Sequence, residues 1–250
     1  MDKMKDLLYK LLFGLTPFRM YLGLNIANVC SRKCGFCPYH APNLPNNEHT
    51  RWFLKQPDFL DYQKFEQSFK KWHWLVKRVS ITGKGEPMMH PDFMKFCELI
   101  DSFFIPYTIT TNGDFELKGL NNLYFLQYIR VSVYDNPQKW ILAKKYSDLP
   151  IELYNQTGTH IDGMIDGITT KNFGAKGTME KDFNKNKSCN APYSFVTMNT
   201  DGSIVPCYSY HEVGRWDLLK ARNSKEMRKW RRSKLPRVDS DCFNCLGCKK

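Results

Sequence analysis

Apolar positions along this chain recur with two different periods. Six short runs, 21–26, 76–82, 106–111, 128–134, 151–156 and 164–170, read as strands. The first four are rich in β-branched or aromatic residues and end in a turn or a polar stretch. Between them the apolar residues shift to helical spacing. Leu60, Phe65, Phe69 and Trp72 trace one helical face, and Phe93, Phe96, Ile100 and Phe103 trace a second, with Pro91 at its start. Residues 136–147 read as a third helix. Strand–helix alternation predicts an α/β fold with a parallel sheet and right-handed crossovers. Six units are too few to close an eight-unit barrel, so the expectation is an open, partial (β/α)6 barrel with its chemistry at the C-terminal ends of the strands.

The flanks read differently. Residues 1–20 carry Leu7, Leu8, Leu11, Leu12 and Phe13 with Lys3, Lys5 and Lys10 between them, which reads as a helix packed on the fold rather than a signal peptide, with a membrane-surface helix as the alternative. No apolar run approaches the roughly 18 residues of a membrane span. Residues 157–188 are rich in Gly, Lys and Asn and read as a loop into a C-terminal part. The expected boundaries are therefore 1–20, 21–170 and 171–250.

Composition adds a core and a charge. With 42% hydrophobic and 14% aromatic residues, the chain can bury a core and is not a disordered one. The net charge of +12 admits nucleic acid, an anionic cofactor or an acidic partner. Its densest run, residues 225–234, sits at helical spacing and reads as a solvated helix face. Nine cysteines without an export signal point to metal in a reducing cytoplasm. They cluster: Cys30, Cys34 and Cys37; Cys189 and Cys207; Cys242, Cys245 and Cys248. Cys97 stands alone beside Phe96 and reads as a small buried hydrophobe.

The first cluster follows the first strand. Three thiolates from one tight loop can hold three irons of a cubane and leave the fourth open to a chelating ligand. A zinc site is the alternative, with His40 as a fourth ligand. The second strand ends in Gly83-Lys84-Gly85-Glu86-Pro87, where glycines permit close backbone approach and a carboxylate suits an ammonium group. Thr110-Thr111-Asn112-Gly113 ends the third strand and Ser132-Val133-Tyr134-Asp135 the fourth. Farther on, Asp201-Gly202 lies between two β-like runs, a hairpin signal that brings Cys189 and Cys207 together.

The C-x3-C-x2-C spacing with Phe36 before the last cysteine, followed by the G-x-G-E-P segment, resembles the radical S-adenosylmethionine superfamily over roughly residues 21–248. The resemblance implies a 4Fe-4S cluster on Cys30, Cys34 and Cys37 that binds S-adenosylmethionine. It places Phe36, Gly83, Gly85, Glu86, Thr110, Asn112, Ser132 and Asp135 around that cofactor. The implied reaction is reductive cleavage of S-adenosylmethionine to a 5′-deoxyadenosyl radical, which abstracts hydrogen from a substrate. The C-terminal cysteines resemble the family's SPASM/twitch extension in its short form, which implies a second, auxiliary 4Fe-4S cluster on Cys189, Cys207, Cys242 and Cys245, with Cys248 as the alternative ligand. One departure stands out: where twitch members often carry an Asn-Arg-Gly-like motif, this chain reads Asn172-Phe173-Gly174-Ala175-Lys176-Gly177.

The implied partners are a low-potential electron donor, flavodoxin or ferredoxin, and a small-molecule or peptide substrate. No peptide-recognition module is expected ahead of the first strand. Residues 160–176, with Asp162, Asp166, Lys171 and Lys176, are candidate substrate contacts. Two other readings stay open: an RNA-modifying radical enzyme, suggested by the charge although no RNA-binding module is visible, and a non-catalytic iron–sulfur or zinc protein, against which the G-x-G-E-P turn argues.

Overall fold

The computed structural model describes residues 19–34, 37, 39–44, 46, 48–132, 145–146, 148–155, 163–165, 168–172, 194–206 and 211–232. Ten strands form one sheet, in the order β10-β9-β8-β1-β2-β3-β4-β5-β7-β6. The parallel centre contains β1 (Met20–Leu24), β2 (Val76–Ile81), β3 (Tyr107–Thr111), β4 (Leu126–Ser132) and β5 (Ile151–Asn155). Each lies beside the next in chain order, as right-handed crossovers predict. The first five expected strands are therefore present, with ends displaced by one or two residues.

The sixth differs. Residues expected as one strand form a hairpin, β6 (Gly163–Ile165) antiparallel to β7 (Ile168–Asn172), and β7 joins β5 in parallel. The two residues between them in sequence are Asp166 and Gly167, a dipeptide that favours two-residue hairpin turns. That Asp-Gly pair is the sequence signal for the reversal.

Two crossover helices cover one face of the sheet. Before them, α1 (Glu48–Leu54) is a short helix of seven residues. In α2 (Tyr62–Trp72) the N-cap Asp61 accepts a hydrogen bond from the Lys64 amide at 3.0 Å, satisfying an orphan donor of the first turn. Its Phe65, Phe69 and Trp72 are buried, and with Phe96 of α3 (Phe93–Ser102) they form a chain of rings about 5 Å apart. Beneath them lie Leu22, Leu24, Val79, Ile81, Ile109, Ile129, Val131 and Leu153, the alternate residues of their strands. Of the expected third helix, only Lys145 and Tyr146 fall within the described residues.

The Asp201-Gly202 hairpin is present as β8 (Phe195–Met198) and β9 (Ser203–Pro206). Gly202 turns at φ +79°, and an added Cβ would lie 2.0 Å from the Trp216 ring, so only glycine fits. The hairpin extends the main sheet, with β8 parallel to β1, and Gly23 leaves room there for Phe195 and Thr197; most of the expected C-terminal unit, from residue 171, lies outside the described residues. β10 (Gly214–Arg215) closes that side, and α4 (Leu218–Asn223) and α5 (Lys225–Arg232) follow. In α5, Met227 and Trp230 are buried while Lys225, Arg228 and Lys229 are exposed, the solvated basic face read from the sequence. Among the described residues, no helix is long and apolar enough to cross a membrane.

Cys97 is fully buried on α3. Burial, reinforced by the charges of Glu98 and Asp101, pushes its thiol far above the ordinary range. Because the thiolate is the reactive form, Cys97 should resist iodoacetamide in the native protein at pH 8 and react only on unfolding. Mass mapping of labelled peptides checks this, and Cys97 labelling in the native state as fast as Cys30 would contradict it.

Candidate functional site

The C-terminal ends of β1, β2, β3 and β4 share one edge of the sheet, and the predicted motifs converge there. The cysteine loop leaves β1 through a tethered segment. The Asn25 amide donates to the Met198 carbonyl at 2.9 Å, the Asn28 amide donates to Asp58 at 2.7 Å, and Ala27 bridges Phe59. Cys30, Cys34 and Cys37 are half-buried and not joined in disulfides. The Cys30 sulfur accepts from the Arg32 amide at 3.4 Å and from Asn112 Nδ2 at 3.9 Å. The Cys37 sulfur accepts from the His40 amide at 3.3 Å, while its own amide donates to the Cys34 carbonyl. Burial raises the Cys30 thiol, the Arg32 amide opposes this, and the charges of Glu86 and Cys37 push it further up. Among the described residues, no three His, Cys, Asp or Glu side chains already stand at metal-holding distances. Phe36 lies outside the described residues.

The G-x-G-E-P turn is docked on that loop by backbone. The Gly85 amide donates to Ala27 at 3.1 Å and the Glu86 amide to Val29 at 2.8 Å. A Cβ on Gly85 would stand 2.2 Å from the Val29 carbonyl, and one on Gly83 would meet the Gly85 carbonyl and Asn25 Oδ1. Both glycines thus serve a close approach within the chain itself. Glu86 is similarly committed. Its side chain is buried, and its two oxygens accept from the Thr111 hydroxyl and the Asn112 amide, both at 2.7 Å, and from the Met88 amide at 3.2 Å. It is the N-cap of the short 3-10 turn Pro87–Met89. Burial raises its carboxyl above the ordinary range, and the three hydrogen bonds oppose that.

The end of β3 completes the set. Asn112 Nδ2 donates to Ser31 Oγ at 2.8 Å, and its Oδ1 accepts from the Asp114 amide. Asp114 in turn binds Arg32 through both carboxylate oxygens and accepts from Ser31 at 3.0 Å. A guanidinium between the first two cysteines is thereby fixed to the loop after β3. Sequence reading missed Thr111, Asp114, Ser31, Arg32 and Asn25. Opposite charges on Arg32 and Asp114 were the available signal, but nothing in the sequence said that these turns meet. Thr110 is half-buried and Ser132 fully buried at the end of β4, while Asp135 lies outside the described residues. So do Cys189, Cys207, Cys242, Cys245 and Cys248, although Cys207 directly follows β9.

The sheet face opposite α2 and α3 is polar. Thr108 donates to Ser80 at 3.3 Å, and Thr110 pairs in register with Arg130, and Arg130 with Glu152. The Arg130 guanidinium binds Glu152 at 3.2 Å and the Tyr128 hydroxyl at 2.9 Å. Thr108 is buried, while Ser80, Thr110, Tyr128, Arg130 and Glu152 are partly accessible, so the face leading to the cysteine loop offers hydroxyls and an ion pair.

No family model matches the chain. Parts of it are similar to the S-adenosyl-L-methionine-dependent tRNA 4-demethylwyosine synthase of Homo sapiens, 28% identical over 121 residues, and to the GTP 3′,8-cyclase of Psychromonas ingrahamii, 32% identical over 117 residues. The matches take in 42% and 45% of this chain but only 16% and 32% of those proteins, so the chain spans well under half of their length. The fold is similar to that of BtrN in complex with AdoMet and 2-DOIA, with a TM-score of 0.62 at 16% identity over 86% of each chain. It is also similar to Streptococcus suis SuiB bound to precursor peptide SuiA, with a TM-score of 0.61 at 16% identity over 99% of this chain and 74% of that one. Together these likenesses support the radical S-adenosylmethionine superfamily.

Because burial raises the Glu86 carboxyl, the folded chain holds that proton more tightly than the unfolded chain does. Its stabilising contribution is present below the ordinary carboxylate range and declines as pH rises through the folded value. Glu86→Gln keeps one acceptor oxygen but turns an NH2 group toward a donor, so at pH 8 it should be less stable than wild type and more stable than Glu86→Ala. Glu86→Ala, which strips acceptors from Thr111 and Asn112, should cost about 1–3 kcal/mol. Urea midpoints of the iron-free protein decide, and an alanine variant as stable as the glutamine variant would contradict a latch formed by Glu86 between its own turn and the end of β3.

Proposed function

We propose that Cys30, Cys34 and Cys37 hold a 4Fe-4S cluster that binds S-adenosylmethionine, and that the enzyme uses its reductive cleavage to oxidise or cross-link a polar small molecule or peptide. The observation that carries this reading is the convergence of the cysteine loop, the G-x-G-E-P turn and the Thr-Thr-Asn end of β3 in one hydrogen-bonded unit. The donor set fits an iron–sulfur cluster. Three thiols come from one loop, and backbone and side-chain N–H groups already point at the Cys30 and Cys37 sulfurs, as they do around such clusters. The zinc alternative needs a fourth ligand, and His40 Nε2, which has no hydrogen-bond partner among the described residues, is its candidate; zinc in place of iron in the purified protein would favour it. When bound, the cluster and its ligand supply the reducing electron and the 5′-deoxyadenosyl radical.

The chain's own residues would orient and enclose that chemistry. The backbone of residues 83–86 faces the cysteine loop and suits the ammonium and carboxylate of S-adenosylmethionine, held by Glu86 rather than replaced by it. Phe36, Thr110, Asn112, Ser132 and Asp135 belong to the same proposed pocket. The hydroxyls of Ser80, Thr108 and Thr110 and the Arg130–Glu152 pair form a polar bed for the substrate. A second, auxiliary 4Fe-4S cluster on Cys189, Cys207, Cys242 and Cys245, with Cys248 as alternative, would take or relay an electron. An acidic flavodoxin or ferredoxin would supply the first electron in the cytoplasm.

With dithionite, the reconstituted protein should convert S-adenosylmethionine to 5′-deoxyadenosine, and Ala at Cys30, Cys34 or Cys37 should abolish the product. Iron should approach about eight per chain, falling to about four in Cys242→Ala. A fully loaded wild-type protein that yields no 5′-deoxyadenosine sinks the reading, and iron near four in the wild type removes only the auxiliary cluster.

A second reading is favoured by the similarity to tRNA 4-demethylwyosine synthase together with the +12 charge: a radical enzyme acting on RNA. It predicts tRNA binding that weakens steeply with salt, because each phosphate contact releases counterions. Filter binding at about 50 and 200 mM salt separates the two. Weak, salt-insensitive retention of tRNA excludes the RNA enzyme.

A further inference from the structure

Between its two constrained glycines, the G-x-G-E-P turn carries one long side chain. Lys84 is only 4% exposed, an unusual state for an ammonium, which must be compensated when it leaves water. The Lys84 ammonium lies 3.9 Å from the centre of the Trp52 ring and 5.5 Å from that of Tyr39, within the range of a cation–π contact, which strengthens on desolvation. Both rings belong to the arm leading out of the third cysteine. Tyr39 stands two residues after Cys37, and Trp52 is on α1. That helix is only seven residues long, too short to persist without tertiary contacts. Other links run through the same place. Phe53 of α1 lies 4.8 Å from Tyr39 and its carbonyl accepts from Asn28 Nδ2, while the Lys84 backbone engages the His40 ring and its amide donates to Asn25 Oδ1.

We propose that Lys84 is a positioning residue, its ammonium seated on Trp52 and Tyr39 so as to clamp α1 and the Tyr39–His40 step onto the G-x-G-E-P turn. The clamp makes the exit of the cysteine loop and the proposed cofactor-binding turn move as one body. It acts through these neighbours and touches no reacting atom. The clamp itself is a property of the folded chain, and only its service to S-adenosylmethionine rests on the proposed function above.

Two measurements test it. In the iron-free protein, amide hydrogen exchange over residues 48–54 should speed up in Lys84→Met and in Trp52→Leu and stay near wild type in Lys84→Arg, which keeps a cation over the rings. In the reconstituted protein, each of the first two variants should weaken S-adenosylmethionine binding about tenfold. The double variant should be no weaker than either single one, because both remove the same contact. If Lys84→Met does not fold, Trp52→Phe replaces it and should fall between wild type and Trp52→Leu. Unchanged exchange in Lys84→Met, or fully additive losses in the double variant, would overturn the clamp. A wild-type protein that binds no S-adenosylmethionine would count against the proposed function, while the exchange result would still decide the clamp.

Discussion

A carboxylate taken out of water must find all its partners inside the protein, and Glu86 shows how far that requirement reaches. Its oxygens are filled by Thr111 and Asn112 from the end of β3 and by Met88 of its own turn. For this to happen the G-x-G-E-P turn must stand a fixed distance from β3. The same turn is pinned on its other side by Gly85 and Glu86 amides bonded to residues 27 and 29. Three strand ends are therefore interdependent, and the cysteine loop hangs from the assembly they make. Asn112 closes the circuit by reaching from β3 to Ser31 and Cys30. Each of these contacts is modest by itself, yet a shift in one turn leaves buried donors or acceptors unpaired in the next two.

The sheet carries two unlike faces because the side-chain period of a strand is two. One face gives its Val, Ile and Leu side chains to the aromatic ladder of α2 and α3. The other gives hydroxyls and the Arg130–Glu152 pair to the side that leads up to the cysteines. A slip of one residue in β4 would exchange Arg130 for Ile129 or Val131, burying a charge under α3 and baring an apolar surface. Core packing and the chemical character of the site are thus set by the same register.

Local patterns were readable where a residue acts through its own segment. The strand runs, the faces of Phe65, Phe69 and Trp72 on α2 and of Phe93, Phe96 and Ile100 on α3, the Asp201-Gly202 hairpin and the three-cysteine loop all follow from spacing. What sequence could not supply was which turns meet. Nothing local reveals that Thr111 and Asn112 meet the Glu86 carboxylate, or that the Val29 carbonyl, more than fifty residues away in sequence, lies against Gly85. At 163–172 the signal for two strands in place of one is the Asp166-Gly167 pair, since the few apolar residues around it set no clear period.

The placement of β8 beside β1 bears on the order in which the molecule can be made. On one side β1 pairs with β2, which follows in the same βαβ unit. On the other it pairs with a strand from far along the chain, through Tyr21 with Phe195 and Leu24 with Met198. Closing so long a loop carries an entropic cost that must be met before the contact returns anything, which slows the step. A chain emerging from the ribosome would thus assemble β1 to β5 with the cysteine loop and its latch while the other side of β1 still waits for its neighbour. The last strands would then seal the sheet beside the cysteine loop.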